Sequence, residues 1–311
     1  MSGADGHSAE AMHPEQLAVT ATMVSALVRE QFPQWRDLPV RAVRSSGTVN
    51  ALFRLGDRLV ARLPLVPMEL TQARRWLQAE AAAAGELVGR SRFPTPEPVA
   101  LGEPGAHYPM PWAVQTWVPG TVALDADPAG STGFAADLAE FIGDVRTIPT
   151  AGRTFSGTGR GGRLTDHEAW VQESLHRSEC LLDVARLRRL WKRLRVLPDA
   201  ADPDLMSHGD LMPGNVLVRD GRLAGVLDVG GLAPADPSLD LVAAWHLLDV
   251  GPREVLRREL TSSDLEWARG AAWAFVQAIG LVWYYERSNP SMSRIGRRTL
   301  ERLLTEPPSV L

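Results

Sequence analysis

Ser207-His208-Gly209-Asp210-Leu211-Met212-Pro213-Gly214-Asn215-Val216-Leu217-Val218, and then Gly225-Val226-Leu227-Asp228-Val229-Gly230, is the stretch on which the reading turns. The pattern is H-G-D-x-x-x-x-N, an apolar run, Asp220-Gly221, a second apolar run, and D-x-G. Asp-Gly between two apolar runs signals a tight hairpin. A hairpin there carries Asp228 back to the place where Asn215 starts. An amide oxygen and a carboxylate then face one another, which suits a small hard cation that takes one or two protein oxygens and fills its shell from phosphates. Asp210 is left to orient a hydroxyl and accept its proton.

These residues resemble the aminoglycoside phosphotransferase family, whose fold is like that of protein kinases. His208, Asp210 and Asn215 match the family's catalytic loop, and Asp228 with Gly230 matches its metal-binding segment. The family's D-P-x-x-D run stands as Asp236-Pro237-Ser238-Leu239-Asp240; Asp236 and Asp240 are expected to stabilise the loop and cap the next helix, and His208 to brace the catalytic loop by hydrogen bonding. The resemblance covers roughly residues 40–290 and is strongest over 207–245. It implies an α+β, two-lobed, protein-kinase-like fold: a small N-terminal antiparallel β-sheet lobe and a larger, mainly helical C-terminal lobe. It implies Asp210 as the catalytic residue and Mg²⁺ held by Asn215 and Asp228, with ATP or GTP as phosphoryl donor. The acceptor it implies is a hydroxyl of an aminoglycoside or related antibiotic. A macrolide, a sugar and an amino-alcohol metabolite are alternative acceptors.

In the small lobe the resemblance is looser. Ser46, Gly47 and Thr48 stand where a nucleotide loop offers backbone N–H groups to phosphates. Arg62 stands on the strand where kinases place a phosphate-pairing lysine. Arginine is a larger fork and no simple replacement for lysine. Glu80 is the candidate helix partner of Arg62, with Glu86 as its rival. Thr116 and Val118 match the hinge strand whose backbone would hold the purine. A nucleotide-binding pseudokinase with a regulatory role is the alternative from another class. Arg62 leans toward it; the intact Asp210, Asn215 and Asp228 lean away.

Outward from this segment the chain divides into a disordered stretch over residues 1–13, a nucleotide-binding lobe over 14–119 and a catalytic and substrate-binding helical lobe over 120–311. Apolar spacing predicts helices over 16–31, 69–88 and 134–146, and one long or two shorter helices over 167–195. Strands are expected over 40–45, 50–55, 58–63, 99–101 and 112–118, separated by Ser46-Gly47-Thr48, Gly56-Asp57 and a proline-rich link. The tail from 240 to 304 reads as helical. Residues 270–285 are apolar but short and carry Gln277, so a buried helix is expected rather than a membrane span. The run from Gly157 to Gly162 neither follows a strand nor ends in Lys-Ser or Lys-Thr, and is expected to be a flexible loop.

Composition narrows the alternatives. The 311 residues, 45% hydrophobic and 23% charged, suit a soluble globular protein. A net charge of -4 offers no broad basic field for nucleic acid. Lys192 is the only lysine, so arginine must serve wherever a cation is needed. A single cysteine, Cys180, excludes an internal disulfide and is expected as a small buried residue. No His pair has H-x-x-x-H spacing, and no G-x-S-x-G elbow is present, which disfavours zinc and serine hydrolases. Without a leader-like N-terminus, the expected location is cytoplasmic, with a small-molecule partner, no nucleic acid, no membrane, and a monomer or homodimer. Residues 251–311 hold nine arginines against seven acidic residues, so this tail offers a polycation no acidic basin.

Overall fold

The computed structural model describes residues 16–43, 49–200 and 203–308. The disorder expected of residues 1–13 and the nucleotide loop Ser46-Gly47-Thr48 lie outside the described residues. The described residues of Met1–Ala79 with Pro98–Trp117 make one compact unit, and those of Glu80–Glu97 with Val118–Leu311 make another.

The first unit is an antiparallel sheet with helical cover. Thr20 caps α1 (Ala21–Gln31) by accepting the Met23 N–H, so this helix starts later than its apolar spacing suggests. The strands β1 (Val40–Val43), β2 (Asn50–Leu55), β3 (Leu59–Pro64), β4 (Pro98–Gly102) and β5 (Trp112–Thr116) lie in the order β1-β2-β3-β5-β4. Gly56, at φ 58°, turns β2 into β3. Leu27 and Val28 of α1 pack with Phe53, Leu63, Trp112 and Val114 of the sheet. The helix α2 (Leu70–Leu87) opens where the Glu69 carboxylate accepts the N–H groups of Thr71 and Gln72, each at 2.8 Å. Its second half belongs to the other unit.

The second unit is mainly helical. Its first elements are β6 (Thr121–Val122), α3 (Ala123–Ala126), α4 (Thr132–Arg146), α5 (Glu168–Arg177) and α6 (Val184–Leu194). The strands β7 (Leu205–Ser207), β8 (Val216–Arg219), β9 (Arg222–Val226) and β10 (Ala233–Ala235) follow, then α7 (Val242–Leu247), α8 (Val250–Glu259), α9 (Asp264–Tyr284) and α10 (Pro290–Thr305). The core is built around α9, which is buried on every side from Trp267 to Gly280, the mark of a central core helix. Phe275 stacks on Trp191 of α6 with ring centroids 5.4 Å apart. The last turn of α9 emerges into solvent, and Tyr284 is exposed. Among the described residues no helix is long and apolar enough to cross a membrane.

Two expectations are corrected here. Of the two readings of 167–195, two shorter helices form, as one of them allowed, but Cys180 is exposed in the turn between them rather than buried. The glycine run from 157 to 162 is not free throughout. Gly161 is buried, its carbonyl accepts the Asp236 N–H at 2.8 Å, and its φ of 112° favours glycine.

Candidate active site

The Asp220-Gly221 turn forms as its sequence demands. Both residues have positive φ, 51° and 70°, the geometry of a type I′ hairpin whose twist suits the flanking strands. It joins β8 to β9, with Val216 opposite Val226. One residue beyond that pair the Leu227 N–H donates to the Asn215 carbonyl at 2.7 Å. The hairpin thus ends with Asn215 and Leu227 side by side, and Asp228 follows directly. Asp228 takes a left-handed conformation, φ 57°, which Asp tolerates better than most residues.

The loop from His208 to Asn215 links β7 to β8, and backbone hydrogen bonds hold it from behind. The His208 and Gly209 N–H groups donate to the two oxygens of Asp240, each at 2.8 Å. Asp240 is buried, so these are charge-assisted bonds shielded from water. The Asp210 N–H donates to His208 Nδ1 at 3.2 Å, which leaves Nε2 to carry the ring proton and donate to the Leu227 carbonyl at 2.9 Å. One neutral imidazole therefore ties the Asp210 loop to the residue before Asp228, the bracing role expected of His208. Asp236 and Asp240 were expected to steady this loop and cap a helix. Asp240 steadies it, Asp236 bonds to none of its residues, and neither caps a helix: Asp236 accepts from Ser238 within its own turn and from Arg269 and Trp273.

At the front of the loop, Asn215 Nδ2 donates to Asp210 Oδ2 and to the Asp210 carbonyl, both at 3.0 Å. That commits the amide nitrogen and turns Oδ1 outward; no described group bonds to it. The other carboxylate oxygen of Asp210 accepts from Arg160 Nη2 at 2.9 Å, and the same nitrogen reaches the Gly209 carbonyl at 3.3 Å. Sequence reading missed Arg160. Its only signal was an arginine in a glycine run.

The phosphotransferase enzyme family model matches residues 41–277 of this chain. The chain belongs to that family. An aminoglycoside 3'-phosphotransferase of Escherichia coli is 26% identical over 143 residues, which is 44% of this chain and 52% of that protein. The chain thus spans about half the length of the curated relative it matches. Among solved structures, the GDP complex of aminoglycoside 2'-phosphotransferase-IIIa aligns over 92% of this chain and 99% of its own, with TM-score 0.66 and 19% identity. A macrolide 2'-phosphotransferase of Brachybacterium faecium aligns over 93% and 98%, with TM-score 0.59 and 17% identity. At those identities the likeness is one of fold, and the fold is kinase-like.

The remaining expected site residues fall as follows. Arg62 lies on β3, paired with Leu52 and Ala113, half-buried between the buried Ala61 and Leu63. Thr116 ends β5 opposite Leu59. Val118 is buried against Gly225, where an added methyl would stand 2.6 Å from its Cγ1. No described group hydrogen-bonds to either peptide group of Val118. The rival glutamates have different neighbours. Glu86 is taken by a two-bond pair with Arg153, at 2.6 and 2.9 Å. Glu80 packs on the D-x-G glycine: a methyl at Gly230 would stand 2.9 Å from Glu80 Cβ and Cγ. Gly230→Ala should therefore force Asp228 or Glu80 to move and cost about 1–3 kcal/mol. Chemical denaturation of the variant against wild type measures it, and an unchanged midpoint would contradict the close approach.

Behind the loop lies a buried polar chain. Gln277 Nε2 donates to the Gly209 carbonyl at 3.4 Å, and Gln277 Oε1 accepts from His246 Nε2 at 2.8 Å. His246 Nδ1 then accepts from the Thr299 hydroxyl at 2.9 Å. Burial above all pushes the His246 ring down to about 4; the Gln277 contact works against this, while Arg160 and Arg302 add to it. The unfolded chain binds a proton at this histidine near its ordinary value of about 6.5, and the folded chain does not. His246 therefore contributes stability that is present above about pH 6.5 and lost as pH falls toward about 4, up to about 3 kcal/mol. Urea unfolding at about pH 7 and about pH 4.5 should show that loss in wild type and a smaller one in His246→Gln. Equal losses would place the proton uptake elsewhere.

Proposed function

We propose that this phosphotransferase moves the terminal phosphoryl group of ATP or GTP to a hydroxyl of a small molecule of the antibiotic class. The observation that carries the reading is the juxtaposition of Asp210 with Asn215, and of Asn215 with the residue that delivers Asp228. The donor set fits Mg²⁺: Asn215 presents an outward amide oxygen and Asp228 supplies a carboxylate. Among the described residues no cluster of three or more His, Cys, Asp or Glu competes as a metal centre. Asn215 and Asp228 would hold Mg²⁺, which neutralises phosphate charge. The unpaired peptide groups of Val118 suit a purine edge, with Thr116 ahead of it, and Arg62 and Glu80 are assigned to the phosphate side.

Asp210 then does the chemistry that belongs to this chain. Its carboxylate accepts the acceptor's hydroxyl hydrogen and points the oxygen at phosphorus. Asn215 and Arg160 hold that carboxylate in place, so little motion is required at the moment of reaction. The proton passes to Asp210 as the new O–P bond forms.

The relatives act, by their names, on aminoglycosides and macrolides. A neutral, macrolide-like acceptor is favoured by charge. Residues 153–163 carry Arg153, Arg160 and Arg163 and no acidic side chain, and Arg160 stands on the Asp210 carboxylate itself. A polycation would gain no carboxylate from this loop. A coupled assay of nucleoside diphosphate release, with ATP and GTP in parallel against aminoglycosides, macrolides and amino alcohols, tests the assignment. Release stimulated by macrolides supports the charge argument. Stimulation by aminoglycosides alone refutes it. Nucleotide binding with no stimulation by any acceptor supports a regulatory pseudokinase instead.

A further inference from the structure

Arg160 has no structural need to be where it is. An ion pair open to solvent contributes little to stability, and both side chains of this pair reach solvent, at 37% and 35% exposure. Yet the loop that carries Arg160 is anchored on both sides. Arg153 grips Glu86, and the Phe155 N–H donates to Asp204 at 2.7 Å. Beyond Arg160, Gly161 docks on the Asp236 turn through its carbonyl. A methyl at Gly161 would stand 2.6 Å from Ala235 Cβ, so the docking needs glycine. The chain is arranged to place a guanidinium on Asp210 Oδ1.

Only Nη2 of that guanidinium is committed, to Asp210 and the Gly209 carbonyl. No described group bonds to Nε or Nη1. A planar fork with unused donors is built for a pair of anionic oxygens. The reaction proposed above brings such oxygens to this spot. As the acceptor oxygen bonds to phosphorus and the bridging P–O bond breaks, that electron pair leaves with the nucleoside diphosphate, and the hydroxyl proton moves to Asp210. Meanwhile the phosphoryl oxygens pass close to a carboxylate of like charge. A cation between them cancels that repulsion where charge develops.

We propose that Arg160 is a catalytic residue that binds the transferring phosphoryl group, its Nη2 on Asp210 and its Nε and Nη1 on phosphoryl oxygens. This rests on the kinase reading of the same centre. It makes Arg160, beyond its hold on the Asp210 carboxylate, an arginine supplied from within the chain to the transferring group, and not a contact for the acceptor.

The test uses the full chain with Mg²⁺ and nucleoside diphosphate, with and without fluoroaluminate as the mimic of the transferring group, in wild type, Arg160→Met and Arg160→Lys. Wild type should bind the diphosphate more tightly with fluoroaluminate. Arg160→Met should lose that increment, by about 10²-fold, while binding diphosphate alone as wild type does and melting at the same temperature. Arg160→Lys should recover part of it. In turnover, Arg160→Met should lower kcat and leave the acceptor KM within a few-fold. An increment retained in Arg160→Met overturns the proposal and leaves the kinase reading intact. So does a raised acceptor KM with unchanged kcat, or a raised kcat. If wild type binds neither diphosphate nor its fluoroaluminate complex, the kinase reading falls and this proposal falls with it.

Discussion

Asp210→Asn is expected to lower turnover by about 10²–10⁴-fold while leaving nucleotide affinity within about twofold. The loss has two sources in the geometry. The amide cannot accept the hydroxyl proton, and it no longer fits its neighbours. Asp210 receives a donor on each oxygen, Asn215 Nδ2 on one and Arg160 Nη2 on the other. Whichever way the substituted amide turns, its own NH2 meets one of those donors. Arg160 is on the solvent side and will give way, so the fold should survive. Nucleotide affinity measured by titration calorimetry, set beside kcat for the best acceptor, checks both halves. Turnover near the wild-type value would remove Asp210 from the proposed role.

Asp236→Ala is expected to have the largest effect on stability, about 3–5 kcal/mol or on the order of 10 °C in melting temperature. Asp236 is buried and serves five donors: Ser238 N–H and Oγ on one oxygen, and Arg269 Nε and Nη2 with Trp273 Nε1 on the other. Arg269 is just as deeply buried. Among the described residues its other hydrogen bond goes to the Pro198 carbonyl at 2.6 Å, so removal of Asp236 strands a guanidinium without a counter-charge. The damage should extend to function, because the same turn holds Gly161 and through it Arg160. Thermal unfolding reads the first effect and kcat at low temperature the second. A shift below about 1 kcal/mol would mean that Arg269 finds another partner.

How much of this was legible in the sequence depends on how local the cause is. The hairpin from β8 to β9 was legible because Asp220-Gly221 dictates positive φ at both turn positions, and two-residue turns set strand register. The seat of Asn215 beside Leu227 was not legible: the register at the turn, Arg219 opposite Arg222, would carry on to Asn215 opposite Val226, and a register shift between Leu217 and Val218 moves it on by one residue. The antiparallel pairing of β2 with β3 was legible through the turn signal Gly56-Asp57, where Gly56 takes φ 58°. The buried helix α9 could be read from its unbroken apolar run. Contacts between distant segments were not legible. Arg160 reaches Asp210 across fifty positions of sequence, and what brings it there is the docking of Gly161 on Ala235. Glu80 and Glu86 share a helix and a chemistry; only the bidentate hold of Arg153 on Glu86 and the packing of Glu80 on Gly230 tell them apart. Cys180 was misplaced because an apolar run was read as continuing a helix through Ser178, where the chain turns.

Charge reads differently at the two levels. In sequence the acceptor question rested on the balance of residues 251–311, which is nearly even. In three dimensions it rests on one guanidinium beside one carboxylate. The polar chain behind the loop, from Gly209 through Gln277 and His246 to Thr299, adds no charge because burial keeps His246 neutral. The positive group nearest Asp210 is therefore Arg160, at 2.9 Å.

The central claim is that the Asp210, Asn215 and Asp228 centre builds a phosphate ester on an acceptor hydroxyl. Phosphorus NMR of the acceptor after incubation with nucleotide, Mg²⁺ and enzyme tests it most directly. The account predicts a new phosphate monoester resonance, formed with equal release of nucleoside diphosphate by wild type and absent with Asp210→Asn. A wild-type protein that binds nucleotide yet forms no ester with any acceptor class, or an ester formed equally well by Asp210→Asn, would contradict it.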